Sequence, residues 1–262
     1  MGFVVPKGTN FVVVENTAER KHVVLPAPPG GDVSVAEVDR SPLHDYAYTK
    51  LAMERTHAWA ERSLEAKFSD QQMYGIVQGG AFEDLRKESS KFIGNLPFAG
   101  FGIGGAFGES FGDKRADNVK ELDWVVPLLP SHKPRHLLGI GRIEDLFLGV
   151  ASGIDTFDCV IPTREARHGS LWTAQGRVDV KRGVYANSEG PLDPECQCQA
   201  CGETTLGDLN LRFKQYDPEA GRLATLHNVY FFNNLMSQIR KSISVGSFTE
   251  FQKEYLSKLK SR

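Results

Sequence analysis

Apolar and polar positions along the middle of the chain fall into blocks that switch between two periods. Short apolar runs, "MYGIVQGG", "FAGFGIGGAFGE", "RHLLGIG" and "IDTFDCVIP", predict four buried strands. Between them "FEDLRKESSKFIG", "KRADNVKELDWVVPLL" and "IEDLFLGVASG" predict helices, the first closed by glycine. A longer helix precedes the set, over "SPLHDYAYTKLAMERTHAWAERSLEAKF". Its signals are Ser41 as N-cap, Pro42 at the first helical position, and Leu51, Trp59 and Leu64 among charges. Apolar runs followed by helical patterns or glycine-rich turns predict βα units around a parallel sheet, an α/β fold. Four such units fill half of an eight-stranded barrel, where chemistry sits on the loops after the strand C-termini.

After Pro162 the pattern changes. "GSLWTAQGRVDVKRGVYANS" predicts a β-hairpin with "AQG" in its turn, and two helices are expected over "TLHNVYFFNNLMSQIRKSISVGSFTEFQKEYLSKL". The first forty residues offer short strand-like runs broken by "PAPPGGD" and no clear amphipathic pattern. The expected organisation is an unassigned segment over 1–41 and the C-terminal part of a barrel over 42–168. A hairpin, a metal-binding subdomain and terminal helices then occupy 169–262.

Composition narrows the class. With 262 residues, 40% hydrophobic and 24% charged, the chain is long enough for one large α/β domain and a small appendage. A net charge of −2 gives no overall basic field, so any nucleic-acid contact must be a local patch. No run approaches the roughly eighteen apolar residues of a membrane span, and the start of the chain lacks a secretory pattern. A cytoplasmic protein with no membrane contact is expected.

Three of the four cysteines, Cys196, Cys198 and Cys201, lie within six residues, and His227 follows. Clustered thiols of this kind suit a metal site in a reducing compartment better than a disulfide framework. Three thiolates and one imidazole complete a closed tetrahedral shell, the composition of a structural zinc site, one Zn2+ per chain. Four protein ligands leave no open position for catalysis. The metal is expected to staple a subdomain whose own core is small.

The cysteine spacing, "TLHN" after it and "GIDTFDCVIPTREARHGSLWT" before it together resemble the tRNA-guanine transglycosylases. The resemblance extends upstream through "KPRHLLGIG", "GFGIGGAFGE" and "YGIVQGGAFEDLRKES", in the family's order. It implies a (β/α)8 TIM-type barrel with a zinc-binding subdomain, and exchange of a guanine in tRNA for a 7-deazaguanine. Two displacements through a covalent glycosyl-enzyme achieve that exchange, by the logic of a retaining glycosidase.

By resemblance, Asp158 in "FDCVIPTR" is the nucleophile, directly before Cys159, and Asp155 is the neighbour with which it could be confused. Cys159 is expected as a buried small hydrophobe. Gln78 in "VQGG" matches a glutamine that hydrogen-bonds the base, for which an amide offers both donor and acceptor. Gly104 and Gly105 match a glycine pair whose backbone approaches the base, although "GGAFGE" is one residue shorter than the bacterial "GGLAVGE" and brings in Phe107. Arg164 and Arg167 match arginines that grip tRNA, and Lys181 and Arg182 could extend their patch.

The family also uses an aspartate in a "DSGG" context as general acid/base, and this chain has no such motif. A base-binding aspartate in "FDECTP" aligns with "EVDRSP", where Val38 takes its place and Asp39 lies one residue away. The barrel is therefore expected to be incomplete and the chain to work as a homo- or hetero-oligomer. The alternatives to an active transglycosylase are an accessory subunit that binds tRNA and a catalytic partner, and an inert fragment.

Overall fold

The computed structural model describes residues 11–12, 46–68, 70–104 and 118–260. The chain divides into two compact units, Met1–Ile140 with Leu148–Asp158, and Gly141–Phe147 with Cys159–Arg262.

The first unit is built on a parallel sheet in sequence order: β1 (Phe11–Val12), β2 (Gln72–Val77), β3 (Gly100–Ile103), β4 (Arg135–Leu137) and β5 (Thr156–Phe157). Helices α1 (Tyr46–Ala66), α2 (Glu83–Gly94) and α3 (Asn118–Val125) alternate with the strands, and α4 (Ile143–Ala151) crosses the division between units. The four strands expected from the apolar runs are β2 to β5, and the α/β class is the class observed, with the parallel βα units of a part-barrel.

Pairing aligns Ile76, Gly102, His136 and Thr156 in one row, and Val77, Ile103, Leu137 and Phe157 in the next. Side chains alternate between faces along a strand. Val77, Phe101, Ile103 and Leu137 are fully buried and form one core with Ile93 of α2 and Leu122 and Val125 of α3. The other face of β3 carries Gly100 and Gly102, and Gly104 follows the strand. A Cβ on Gly100 would meet the Tyr74 ring at 2.6 Å, and one on Gly102 would meet Ile76 Cδ1 at 2.7 Å. The alternating glycines of "GFGIGG" thus let side chains of β2 lie across β3.

The long helix expected ahead of the set is α1. Ser41 and Pro42 lie outside the described residues, and the helix is described from Tyr46. Its buried face is Thr49, Met53, His57 and Ala60, at helical spacing, while Leu51 and Trp59 are 48% and 52% exposed. Leu64 does pack partly buried against the core.

Arg86 of α2 is fully buried. Its Nε donates to the carbonyl of Gly80 at 2.7 Å and its Nη1 to that of Gly104 at 2.5 Å. It therefore ties together the chain segments that follow β2 and β3. Nη2 faces Glu121 of α3 at 3.7 Å. Burial lowers the Arg86 pKa to about 10 and raises that of Glu121, each against the pull of its partner.

The second unit contains α5 (Ile161–Arg167), the hairpin β6 (Ser170–Thr173) and β7 (Gly176–Asp179), then α6 (Gln199–Glu203), α7 (Leu206–Lys214), α8 (Pro218–Ser244) and α9 (Phe248–Lys260). The hairpin turn is the expected one, with Gly176 in the left-handed region at φ 102°. Helix α5 was not expected: "IDTFDCVIP" reads as one strand, but pairing stops at Phe157 and a helix begins at Ile161 with Pro162 in its first turn. Cys159 is half-buried rather than buried, and its Sγ accepts from the Ile161 N–H at 3.3 Å at the start of that helix.

Helix α8 begins earlier than its apolar pattern suggests. The Asp217 side chain caps it by accepting from the Glu219 N–H at 2.9 Å, and Pro218 takes the first turn. His227 is therefore well inside the helix. The fully buried Asn228 beside it accepts from the Trp172 N–H at 3.0 Å and donates to the carbonyls of Pro162 and Ser170 at 3.0 and 2.9 Å. One amide joins the start of α5, strand β6 and α8.

Replacing Arg86 by methionine removes both carbonyl clamps and leaves Glu121 buried without its cation. The first unit is expected to lose roughly 3–5 kcal/mol, read from chemical denaturation. A loss below about 1 kcal/mol, the range of a surface pair, would contradict the clamp.

Candidate functional site

Carrying the strand register one residue further gives the row Gln78, Gly104, Leu138 and Asp158. Three of the residues expected to act on the substrate thus fall in one row at the carboxyl edge of the sheet, with Leu138 between Gly104 and Asp158. Gly105 lies outside the described residues.

Asp158 is held by two donors on one oxygen. Gly139 N–H reaches Oδ1 at 2.8 Å and His136 Nε2 at 3.1 Å. Gly139 sits at φ 74°, the left-handed backbone that glycine supplies after β4. Burial alone raises the Asp158 pKa, but the hydrogen bonds from His136 and Gly139 outweigh it and hold the carboxyl below its usual value. The group is ionised at neutral pH and its side chain is 46% exposed. Asp155 has a different task, accepting from the Arg135 N–H at 2.8 Å.

Gln78 is anchored through its backbone. Its N–H donates to Ser89 Oγ at 3.0 Å, and Ser89 in turn meets His57 Nε2 at 3.1 Å. Burial lowers the His57 pKa, and the ring stacks on Phe92 with centroids 4.2 Å apart. A neutral His57 accepts the Ser89 hydroxyl proton, which leaves the Ser89 oxygen for Gln78. Left-handed Gly79 and Gly80 then turn the chain toward α2.

In the second unit, the donor atoms of Cys196, Cys198, Cys201 and His227 all lie within 4.8 Å of one another, and the four could hold a metal ion. His227 Nδ1 is 3.6 Å from Cys198 Sγ and 3.4 Å from Cys201 Sγ. A tetrahedral zinc with Zn–S of about 2.3 Å and Zn–N of about 2.0 Å sets sulfur and nitrogen roughly 3.5 Å apart. His227 Nε2 donates to the Trp172 carbonyl at 2.8 Å, which fixes the tautomer and turns Nδ1 to the sulfurs. Burial lowers the His227 pKa and so favours the neutral ligand form. It also raises the Cys196 thiol to about 11 and pushes Cys201 up further, a balance that a bound cation reverses.

The second unit also contains a cleft of about 520 Å3 between α5 and the hairpin. Arg164, Arg177, Lys181 and Arg182 bring positive charge to it, beside His168 and against Glu165 and Asp179. Arg164 and Arg167 are both exposed in the α5 helix, but Arg167 is not among the cleft-lining residues.

A family model described as "Queuine tRNA-ribosyltransferase" matches residues 30–261. The chain belongs to the queuine tRNA-ribosyltransferase family. A queuine tRNA-ribosyltransferase of Halothermothrix orenii is 42% identical over 232 residues, 87% of this chain and 61% of that protein. Those of Streptococcus thermophilus and Streptococcus pneumoniae are 43% and 44% identical over 216 residues, 81% of this chain and 56% of theirs. The chain spans about three-fifths of the length of the curated relatives it matches.

Among the features of this family member, the motifs pointed to Gln78, Gly104, Asp158 and the metal ligands, but not to their supports. Arg86 reads in sequence as one more charge on a helix, and His136 as a polar residue in a strand. Arg177 and His168 join the cleft only because the hairpin folds back on α5. No helix among the described residues is long and apolar enough to cross a membrane.

About one metal ion per chain is expected by elemental analysis of protein purified without chelator. Cys198→Ala should lower both metal content and the thermal midpoint of the second unit, since metal binding and folding are coupled. Metal-free protein with an unchanged midpoint would contradict the assignment of the four ligands.

Proposed function

We propose that this chain is a tRNA-guanine transglycosylase subunit, exchanging a guanine in tRNA for a 7-deazaguanine through a covalent aspartyl-ribosyl intermediate on Asp158. The observation that carries this reading is the row Gln78, Gly104 and Asp158 at one sheet edge, with Asp158 ionised and partly open to solvent. Carboxyl ends of parallel barrel strands are where such chemistry is built.

The target nucleotide leaves its stack to enter the site. An Asp158 carboxylate oxygen forms a bond to ribose C1′ as the C1′–N9 bond breaks. Its electron pair leaves with guanine, which takes a proton from water or a carboxylic acid. In the second displacement the incoming base nitrogen bonds C1′, loses its proton, and releases Asp158 as carboxylate. Gln78 pairs with the edge of the base through its amide, and Gly104 and Gly105 allow the backbone to approach it. Arg164 and Arg167 hold tRNA phosphates, with the basic cleft beside Arg164 extending the patch.

We assign the metal as one structural Zn2+ on Cys196, Cys198, Cys201 and His227, since three thiolates and an imidazole close the shell. The part-barrel and zinc subdomain belong in our reading to a cytoplasmic homo- or hetero-oligomer.

The test is incorporation of radiolabelled guanine into bulk tRNA by the purified chain, with Asp158→Asn alongside. Wild-type incorporation should fall at least about a thousandfold in the variant, as expected for loss of a nucleophile, while tRNA binding is unchanged. Incorporation that survives the substitution would overturn Asp158 as nucleophile. No wild-type incorporation with tRNA binding intact would assign the chain to an accessory role instead.

A further inference from the structure

His136 has no task in the sequence motifs, yet its ring spans Thr156 of β5 and Asp158 just beyond that strand. Nδ1 is 2.8 Å from Thr156 Oγ1 and Nε2 is 3.1 Å from Asp158 Oδ1. An ionised carboxylate can only accept, so the ring hydrogen facing it is on Nε2. In the neutral ring Nδ1 is then an acceptor and takes the Thr156 hydroxyl hydrogen. The parallel register creates this line: His136 pairs with Thr156, and Asp158 lies two residues on, on the same face. The His136 side chain is 13% exposed against 46% for Asp158, so a packed ring steadies an open carboxylate.

We propose that His136 is a positioning residue for Asp158, holding Oδ1 together with the Gly139 N–H so that Oδ2 is the oxygen that attacks ribose C1′. The proposal rests on the transglycosylase reading above. His136 transfers no proton in either displacement. Its hydrogen bond acts twice: it orients the carboxylate for attack, and it steadies the same carboxylate when the incoming base displaces it. Thr156 completes the line by fixing the tautomer, as a partner on the far nitrogen does for other functional histidines.

The test combines a readout on the wild-type chain with one on variants. In 15N NMR of the wild type, His136 should appear as the Nε2–H tautomer. In 13C NMR of aspartate-labelled protein, with the Asp158 signal assigned by its loss in Asp158→Asn, the carboxyl should titrate higher in His136→Phe. It should return toward the wild-type value in His136→Gln, whose amide places an N–H near the position of Nε2. Guanine exchange should fall roughly ten- to a hundredfold in His136→Phe, the usual effect of a misplaced reacting group, with KM for tRNA unchanged and partial rescue in His136→Gln. An Nδ1–H tautomer, or an Asp158 titration indifferent to His136→Phe, would overturn the proposal. Absence of exchange in the wild type would overturn the transglycosylase reading, and the NMR measurements would still decide whether His136 holds Asp158.

Discussion

Parallel hydrogen bonding in one register across β2, β3, β4 and β5 is the constraint on which the candidate site depends. These strands are short, and each contributes its first residue beyond the paired segment to a common row. Because side chains alternate, a slip of one residue would send a strand's site residue to the opposite face. Core burial on the helix side guards against that slip. Val77, Phe101, Ile103 and Leu137 have no exposed surface, and a slip in either direction would put a glycine in the place of Phe101 and of Ile103. Packing on one face therefore sets chemistry on the other.

A second level of order comes from polar groups that hold the ends of the strands. Arg86 clamps two carbonyls, Ser89 receives the Gln78 N–H, and Gly139 and His136 grip one oxygen of Asp158. The second unit follows the same logic around Trp172. Its carbonyl accepts from His227 and its N–H donates to Asn228, so the "HN" pair both turns His227 Nδ1 toward the cysteine sulfurs and anchors a strand. The metal cluster stands beside a core of small and medium side chains such as Ala166, Ala200, Ala220 and Ala224. Burial of that kind gives limited stabilisation per residue, to which a metal held by the cluster would add.

Much of this was legible before any coordinates. Four apolar runs with intervening amphipathic stretches specified β2 to β5, and cysteine spacing pointed to the cluster that could hold a metal ion. What stayed hidden was decided by tertiary context. Burial of His57 and exposure of Trp59 reverse the usual ranking of those residue types, because the helix face is chosen by what packs against it. Helix α5 hides behind Cys159 and Pro162, residues that read as the tail of a strand. The short helices α6 and α7 occupy a stretch dominated by cysteine and polar residues, too brief to show a period. Arg86 and His136 were invisible because their roles depend on partners 18 and 22 residues away in the chain.

The most direct measurement is mass-spectrometric mapping of the protein–RNA adduct trapped when the chain is denatured during turnover with tRNA. Digestion should leave a ribosyl remnant on the peptide that contains Asp158, with fragmentation locating it on that side chain. A remnant on Asp155, on Cys159 or on any other residue would contradict the site described here.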